Sequence, residues 1–219
     1  MAKSNKAWMR EHLNDPYVKR ANAEGYRSRA AYKLQQIAAR DKLLQPGMTV
    51  VDLGAAPGGW SQVAAKAVGR TGRVIALDVL DMAQVSGVTV IRGDFHERSA
   101  LDALEDTLQS RPVDLVLSDM APNLSGIAVA DQARSIALAE LALDFAVKHL
   151  KPQGNFLVKL FQGAGYDEFV ATLRRNFLHV YTRKPDASRS RSSEVYLLGK
   201  GRRECPSDIR HEGENSLES

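Results

Sequence analysis

An α/β fold built on a doubly wound, mostly parallel sheet is what this 219-residue sequence predicts. Three observations carry that prediction. Short apolar runs alternate with segments of helical periodicity through most of the chain. One run, Met48–Leu53, opens into the turn Gly54-Ala55-Ala56-Pro57-Gly58-Gly59 and then into a helix start. The last two runs follow each other with no helix between them, which predicts an antiparallel pair at one edge. Seven strands with helices on both faces are expected.

The elements follow in order. Residues 1–25 are polar and basic, with Trp8 and Tyr17 interleaved, and read as a basic extension mobile in isolation and suited to RNA contact. Tyr26 to Leu44 has helical periodicity, with Ala30, Leu34, Ile37 and Ala38 on one face and Ser28 as N-cap. Strands are expected at Met48–Leu53, Gly72–Asp78, Val88–Arg92, Val113–Ser118, Gly154–Phe161, Leu178–Thr182 and Val195–Leu198. Helices are expected over Ser61–Val68, Ser99–Ser110, Asp131–Leu150 and Tyr166–Asn176, the third stopped by Lys151-Pro152. Residues 183–193 form a basic, Ser-rich loop. The resulting organisation is an extension (1–25), one domain (26–203) and an acidic, non-periodic tail (204–219) expected to be disordered.

Composition narrows the function classes. Hydrophobic residues make up 44%, enough for a core. No apolar run reaches the ~18 residues of a membrane span, and the basic N-terminal segment lacks the apolar centre of a signal peptide. Cys205 is the single cysteine, and His12, His96, His149, His179 and His211 are scattered without ligand spacing, so neither a disulfide framework nor a metal site is implied. His149 beside Lys151 is expected to serve a helix C-terminus, where the dipole favours positive charge. A cytoplasmic monomer is the expectation. The net charge of +4 hides segregation: residues 1–33 carry eight Lys/Arg against three acids, and residues 170–203 nine against two. Basic ends around an acidic middle suggest a polyanion partner, nucleic acid in particular.

The Gly-rich turn is not a dinucleotide fingerprint, because Ala56 stands where the second glycine of G-x-G-x-x-G would let backbone approach a pyrophosphate. No Gly-Lys-Ser/Thr follows, so it is not a P-loop. Asp52, two residues before Gly54, instead resembles the acid of motif I in S-adenosylmethionine (SAM) methyltransferases. Asp78 ends the second strand, where it can accept from a ribose, and Asp94 follows the third, where it can accept from an adenine amino group. Asp119 follows the fourth strand. Lys159 is a cation inside the apolar fifth strand, and Glu194 precedes the last.

Several segments together resemble the FtsJ (RrmJ, RlmE) family of ribosomal RNA ribose 2′-O-methyltransferases. They are Ser28–Leu34, Asp52–Gln62, Ser118–Asn123, Val158–Gly163, Arg183–Asp186 and Ser193–Tyr196, in order and with family-like spacing through most of residues 3–203. The resemblance implies a Rossmann-like, SAM-dependent methyltransferase with the catalytic set Lys33, Asp119, Lys159 and Glu194. It places SAM, released as S-adenosylhomocysteine, at Gly58, Trp60, Asp78, Asp94 and Asp119. The implied substrate is a uridine ribose in large-subunit rRNA, within an assembled large ribosomal subunit.

The chemistry follows independently. A ribose 2′-OH is a poor nucleophile and a sulfonium methyl a good electrophile, so in-line displacement needs positioning and a route for one proton. Lys159 is the candidate general base. An ordinary lysine has a pKa of about 10.4, so acting as a base near pH 7 requires roughly 4 kcal/mol against its charged form. Burial and neighbouring cations favour this; neighbouring carboxylates oppose it. The alternative keeps Lys159 charged to steer the hydroxyl, with the proton leaving through Asp119. Lys33 and Glu194 would position the ribose. Rival readings are a ribose methyltransferase for tRNA or an mRNA cap, and a SAM-binding ribosome-assembly factor. A nicotinamide oxidoreductase is disfavoured by Ala56 and Pro57.

Overall fold

The computed structural model describes residues 15–123, 125–189 and 192–204. Trp8, Cys205, most of the expected tail and the first fourteen residues lie outside them. The elements in chain order are α1 (Pro16–Glu24), α2 (Ala30–Asp41), β1 (Thr49–Leu53), α3 (Gly59–Val68), β2 (Arg73–Asp78), β3 (Val88–Arg92) and α4 (Arg98–Leu108). Then come β4 (Val113–Ser118), α5 (Ala128–His149), β5 (Leu150–Phe161), α6 (Tyr166–Asn176), β6 (Phe177–Arg183) and β7 (Glu194–Arg202).

The strands form one sheet in the order β3-β2-β1-β4-β5-β7-β6. The first five are parallel. β7 runs antiparallel to both β5 and β6, which gives the expected antiparallel pair, with the reversed strand one position in from the edge. The chain order reverses between β1 and β4, so a crevice opens beyond their C-terminal ends. Because side chains alternate across a strand, the sheet has two apolar faces. Val51, Val116, Phe156 and Val158 pack under α4, α5 and α6. Val50, Leu115, Leu157 and Tyr196 pack under α2 and α3. Burial of both faces explains why the central strands read as continuous apolar runs rather than alternating ones.

Five local differences from expectation have physical causes. Pro16–Glu24 is a helix, although the surrounding segment reads as an extension. Asp15 caps it by accepting from Tyr17 N at 3.0 Å, Pro16 fits its first turn, and Gly25 closes it at φ +76°. Its Ala21 packs with Tyr32 and Ala187. Ser28 is not the N-cap of α2: Arg29 holds that position without a side-chain cap. The Ser28 hydroxyl lies against Gly59, where a Cβ would come within 2.5 Å of it. α5 begins at Ala128 rather than Asp131, because the Asp131 carboxylate, in its first turn, accepts from Ser125 N and Gly126 N. β5 begins at Leu150; its pairing with β4 jumps from Val113↔Leu150 to Leu115↔Asn155, a bulge that accommodates Pro152. His149 does close α5, yet burial pushes its pKa down against the pull of Glu105, so the neutral ring is favoured over the expected cation.

Candidate active site

Three strands, β4, β5 and β7, and one helix bring the distant residues together. Lys159 on β5 lies opposite Tyr196 on β7, and Phe161 opposite Glu194. Lys159, Tyr196 and Glu194 therefore share one face, the face covered by α2, which carries Lys33. Lys33 Nζ donates to both Glu194 oxygens, at 2.7 and 2.9 Å. Lys159 Nζ stands 3.0 Å from Asp119 Oδ1 and also donates to the Asp119 carbonyl. The two ion pairs are mostly buried, with Lys159 9% exposed.

Tyr196 joins the pairs. It is fully buried, donates its hydroxyl to Asp119 Oδ1 at 3.2 Å, and lies under Lys33 Nζ, 5.7 Å from the ring centroid. Burial, then the charges of Asp119 and Glu194, push its pKa well up, so it remains a neutral donor. Burial would raise the Glu194 carboxyl, but Lys33, the Ser188 hydroxyl at 2.9 Å and Lys159 outweigh this and hold it below the ordinary value.

Beside this cluster lies a cavity of about 560 Å³, at the switch between β1 and β4. Asp78, Asp94 and Asp119 line it together with Gly54, Leu77, Phe95, Met120 and Leu138. Asp78 accepts from Ala56 N at 2.8 Å and Leu80 N at 2.7 Å, which ties the Gly-rich turn to the end of β2. The His96 backbone N–H, then its side chain, hold the Asp94 carboxyl below its ordinary value. Gly54 sits at φ +72°, and a Cβ there would fall 2.6 Å from Met120 Cγ, so only glycine keeps this wall. Three carboxylates over apolar walls suit a cationic sulfonium carrying a ribose and an adenine ring. The donor set thus fits SAM, with Asp78 and Asp94 available to its hydroxyls and amino group.

Other sequence-predicted residues lie away from this cavity. Trp60 is buried, donates Nε1–H to Ala30 O at 2.8 Å and packs on Tyr196, 5.6 Å between ring centroids. Gly58 is buried and faces Arg27, Met82 and Val85. Asp52 is buried beneath the turn, and its Oδ2 accepts from Ser61 Oγ at 2.6 Å. Burial, opposed by Ser61 and reinforced by Asp119 and Asp78, raises its carboxyl to about 7.

A profile of the family described as FtsJ-like methyltransferase matches residues 26–202. The chain belongs to that family. A ribosomal RNA large subunit methyltransferase E from Nitrosospira multiformis is 61% identical over 202 residues, 92% of this chain and 98% of the relative. One from Azoarcus sp. is 64% identical over 197 residues, 90% of this chain and 96% of the relative. The crystal structure of a ribosomal RNA methyltransferase from Plasmodium falciparum superposes with a TM-score of 0.72 at 28% identity, covering 81% of this chain and 98% of that one. This FtsJ-like methyltransferase is therefore a SAM-dependent enzyme of Rossmann-like fold.

Tyr196 closes the Ser193–Tyr196 segment, where residue type and spacing alone assign it no role. Strand alternation held the signal, because residues 194 and 196 must share a face. The basic ends also changed meaning. Arg183 is locked on Asp41 by two bonds of 2.6 and 2.8 Å, and Arg29 bonds to Asp15 and Ala187 O. These two charges are engaged inside the fold. The Arg29 contacts nevertheless bring Asp15 and Ala187 together, next to the Ser188 that donates to Glu194.

Proposed function

We propose that this FtsJ-like methyltransferase transfers a methyl group from SAM to the ribose 2′-OH of a uridine in large-subunit rRNA, on the assembled large subunit. The observation that carries the reading is the convergence of Lys33, Asp119, Lys159 and Glu194 around Tyr196 at the mouth of a cavity suited to SAM. The names and high identity of the relatives support rRNA as substrate.

When bound, SAM supplies an electrophilic methyl group. The chain does the rest. Asp119 bridges the two regions: it lines the cavity and holds the Lys159 ammonium. Lys159 first gives up a proton to solvent and then, as the neutral amine, takes the hydroxyl proton as general base, its contact with Asp119 fixing the direction of the lone pair. Tyr196 keeps the Asp119 carboxylate in place. Lys33 and Glu194, neutralised by each other, present a donor and an acceptor edge for the ribose. Holding the hydroxyl in line with the methyl group supplies much of the rate.

Labelled SAM, incubated with large subunits lacking ribose methylation and with bulk tRNA in parallel, tests this. Label is expected in the subunit rRNA, with a roughly 10⁴-fold lower rate for Lys159→Ala and unchanged SAM affinity. Label in tRNA alone would overturn the substrate. No label in either RNA, with SAM still bound, would leave a SAM-binding assembly factor.

A further inference from the structure

Arg27 sits in the segment before α2, among residues whose charge suggests phosphate contact. Its side chain is turned the other way. The half-buried guanidinium donates through Nη1 to Ala83 O at 2.5 Å and Pro57 O at 3.2 Å, and through Nη2 to Gln84 O at 2.7 Å. Those carbonyls belong to two separate segments. Pro57 lies in the Gly-rich turn, whose Gly54 and Ala56 line the SAM cavity; Ala83 and Gln84 lie in the 79–87 loop, whose Val79 and Leu80 line it too.

The surrounding contacts make Arg27 the fastening point of that corner. Its own N–H donates to Gln62 Oε1 at 2.9 Å, and Gln62 Nε2 donates to Gly25 O at 2.9 Å, so α3 holds the backbone carrying Arg27. Met82 and Val85, the buried residues of the loop, reach the turn at Gly58. A Cβ there, at φ +109°, would stand 3.0 Å from Arg27 Nη1 and 3.1 Å from both Met82 Sδ and Val85 Cγ2. Gly58 thus leaves space for this fastening rather than lining the cavity. Val79 and Leu80 are exposed, at 57% and 64%, so packing of their own does not hold this wall.

We propose that Arg27 is a positioning residue for SAM: by joining the Gly-rich turn to the 79–87 loop, it fixes the wall of the cavity on which the cofactor rests. Lysine cannot replace it, because an ammonium on a flexible stem lacks the planar fork that reaches three carbonyls in two segments. A phosphate contact, by contrast, tolerates lysine as a point charge. The inference rests on assigning the cavity to SAM, not on the identity of the RNA.

The test is calorimetric titration of S-adenosylhomocysteine and of SAM into wild type, Arg27→Lys and Arg27→Gln. RNA affinity is measured across salt concentrations by filter binding without cofactor, and hydrogen exchange is followed over residues 79–87. Both variants are expected to bind either ligand about tenfold more weakly, the loss of charge-assisted hydrogen bonds, and to exchange faster in the loop. Arg27→Lys should keep its RNA affinity within about twofold and its salt slope unchanged. Unchanged cofactor affinity in Arg27→Lys, or weaker RNA binding with a salt slope reduced by about one in Arg27→Gln alone, would overturn the proposal. Absence of cofactor binding in the wild type would instead overturn the assignment of the cavity. Exchange of the unliganded wild type serves if a variant does not fold: amides of 79–87 exchanging as fast as an unfolded chain would also refute the fastening.

Discussion

Asp52 and Asp119 end adjacent parallel strands, and Asp119 N even donates to Leu53 O at 3.1 Å. Their surroundings are opposite. Asp52 is fully buried and is stabilised by neutral donors of Ser61, with no cation beside it among the described residues. Asp119 is partly exposed, carries Lys159 at 3.0 Å and Tyr196 at 3.2 Å, and faces the cavity. One carboxylate is a buried strut beneath the Gly-rich turn, and the other joins the cavity to the Lys159–Tyr196 cluster. The comparison teaches that position at a strand end sets where an acid stands, whereas its partners set what it can do.

The comparison can be broken at several points. The largest effect is expected at Asp52. Its folded pKa of about 7 exceeds the ordinary aspartate value near 3.9. Its contribution to stability is therefore full below pH ~4 and is lost as pH rises through 7. Asp52→Asn keeps the acceptor for Ser61 without the charge. Relative to wild type, its unfolding free energy should rise between pH 4 and 8 by on the order of 4 kcal/mol, read from denaturant melts. A pH-independent difference would show that Asp52 is held as a satisfied anion after all.

Gly54→Ala comes next. It forces a Cβ into Met120 at a left-handed backbone position, so SAM affinity should fall about 100-fold by titration. Retained affinity would mean that the β4 loop can retreat and that the cavity wall is soft. The smallest effect is expected from Tyr196→Phe, which removes one donor from Asp119 and leaves the ring. The rate of methyl transfer should fall about tenfold with SAM affinity unchanged. An equal loss in both would place Asp119 with the cavity rather than with the cluster.

The legible parts of the molecule were those encoded over short distances. The strand runs, the Gly-rich turn and the acids at or near the ends of β1, β2, β3 and β4 all read directly, because a strand–turn–helix unit is local and its turn chemistry restricts residue type. α1 carried the same kind of signal in Asp15-Pro16, but the basic composition around it masked the cap. Trp60, which the family resemblance implies at the cofactor, has its side chain in the core, because an aromatic beside a turn can face either way until the helix register is known.

The sequence by itself determined the α/β fold, the turn at which a cofactor could sit and the identities of Lys33, Asp119, Lys159 and Glu194. Only the tertiary structure decided their pairing, because it depends on β7 inserting between β5 and β6 and on α2 lying over that face. It also decided which cations were left for a partner. Arg27, Arg29 and Arg183 look alike in a charge count, but each is engaged by oxygens brought from elsewhere in the chain. Charge is a property of a residue, whereas its availability depends on the neighbours that folding brings within about 3 Å.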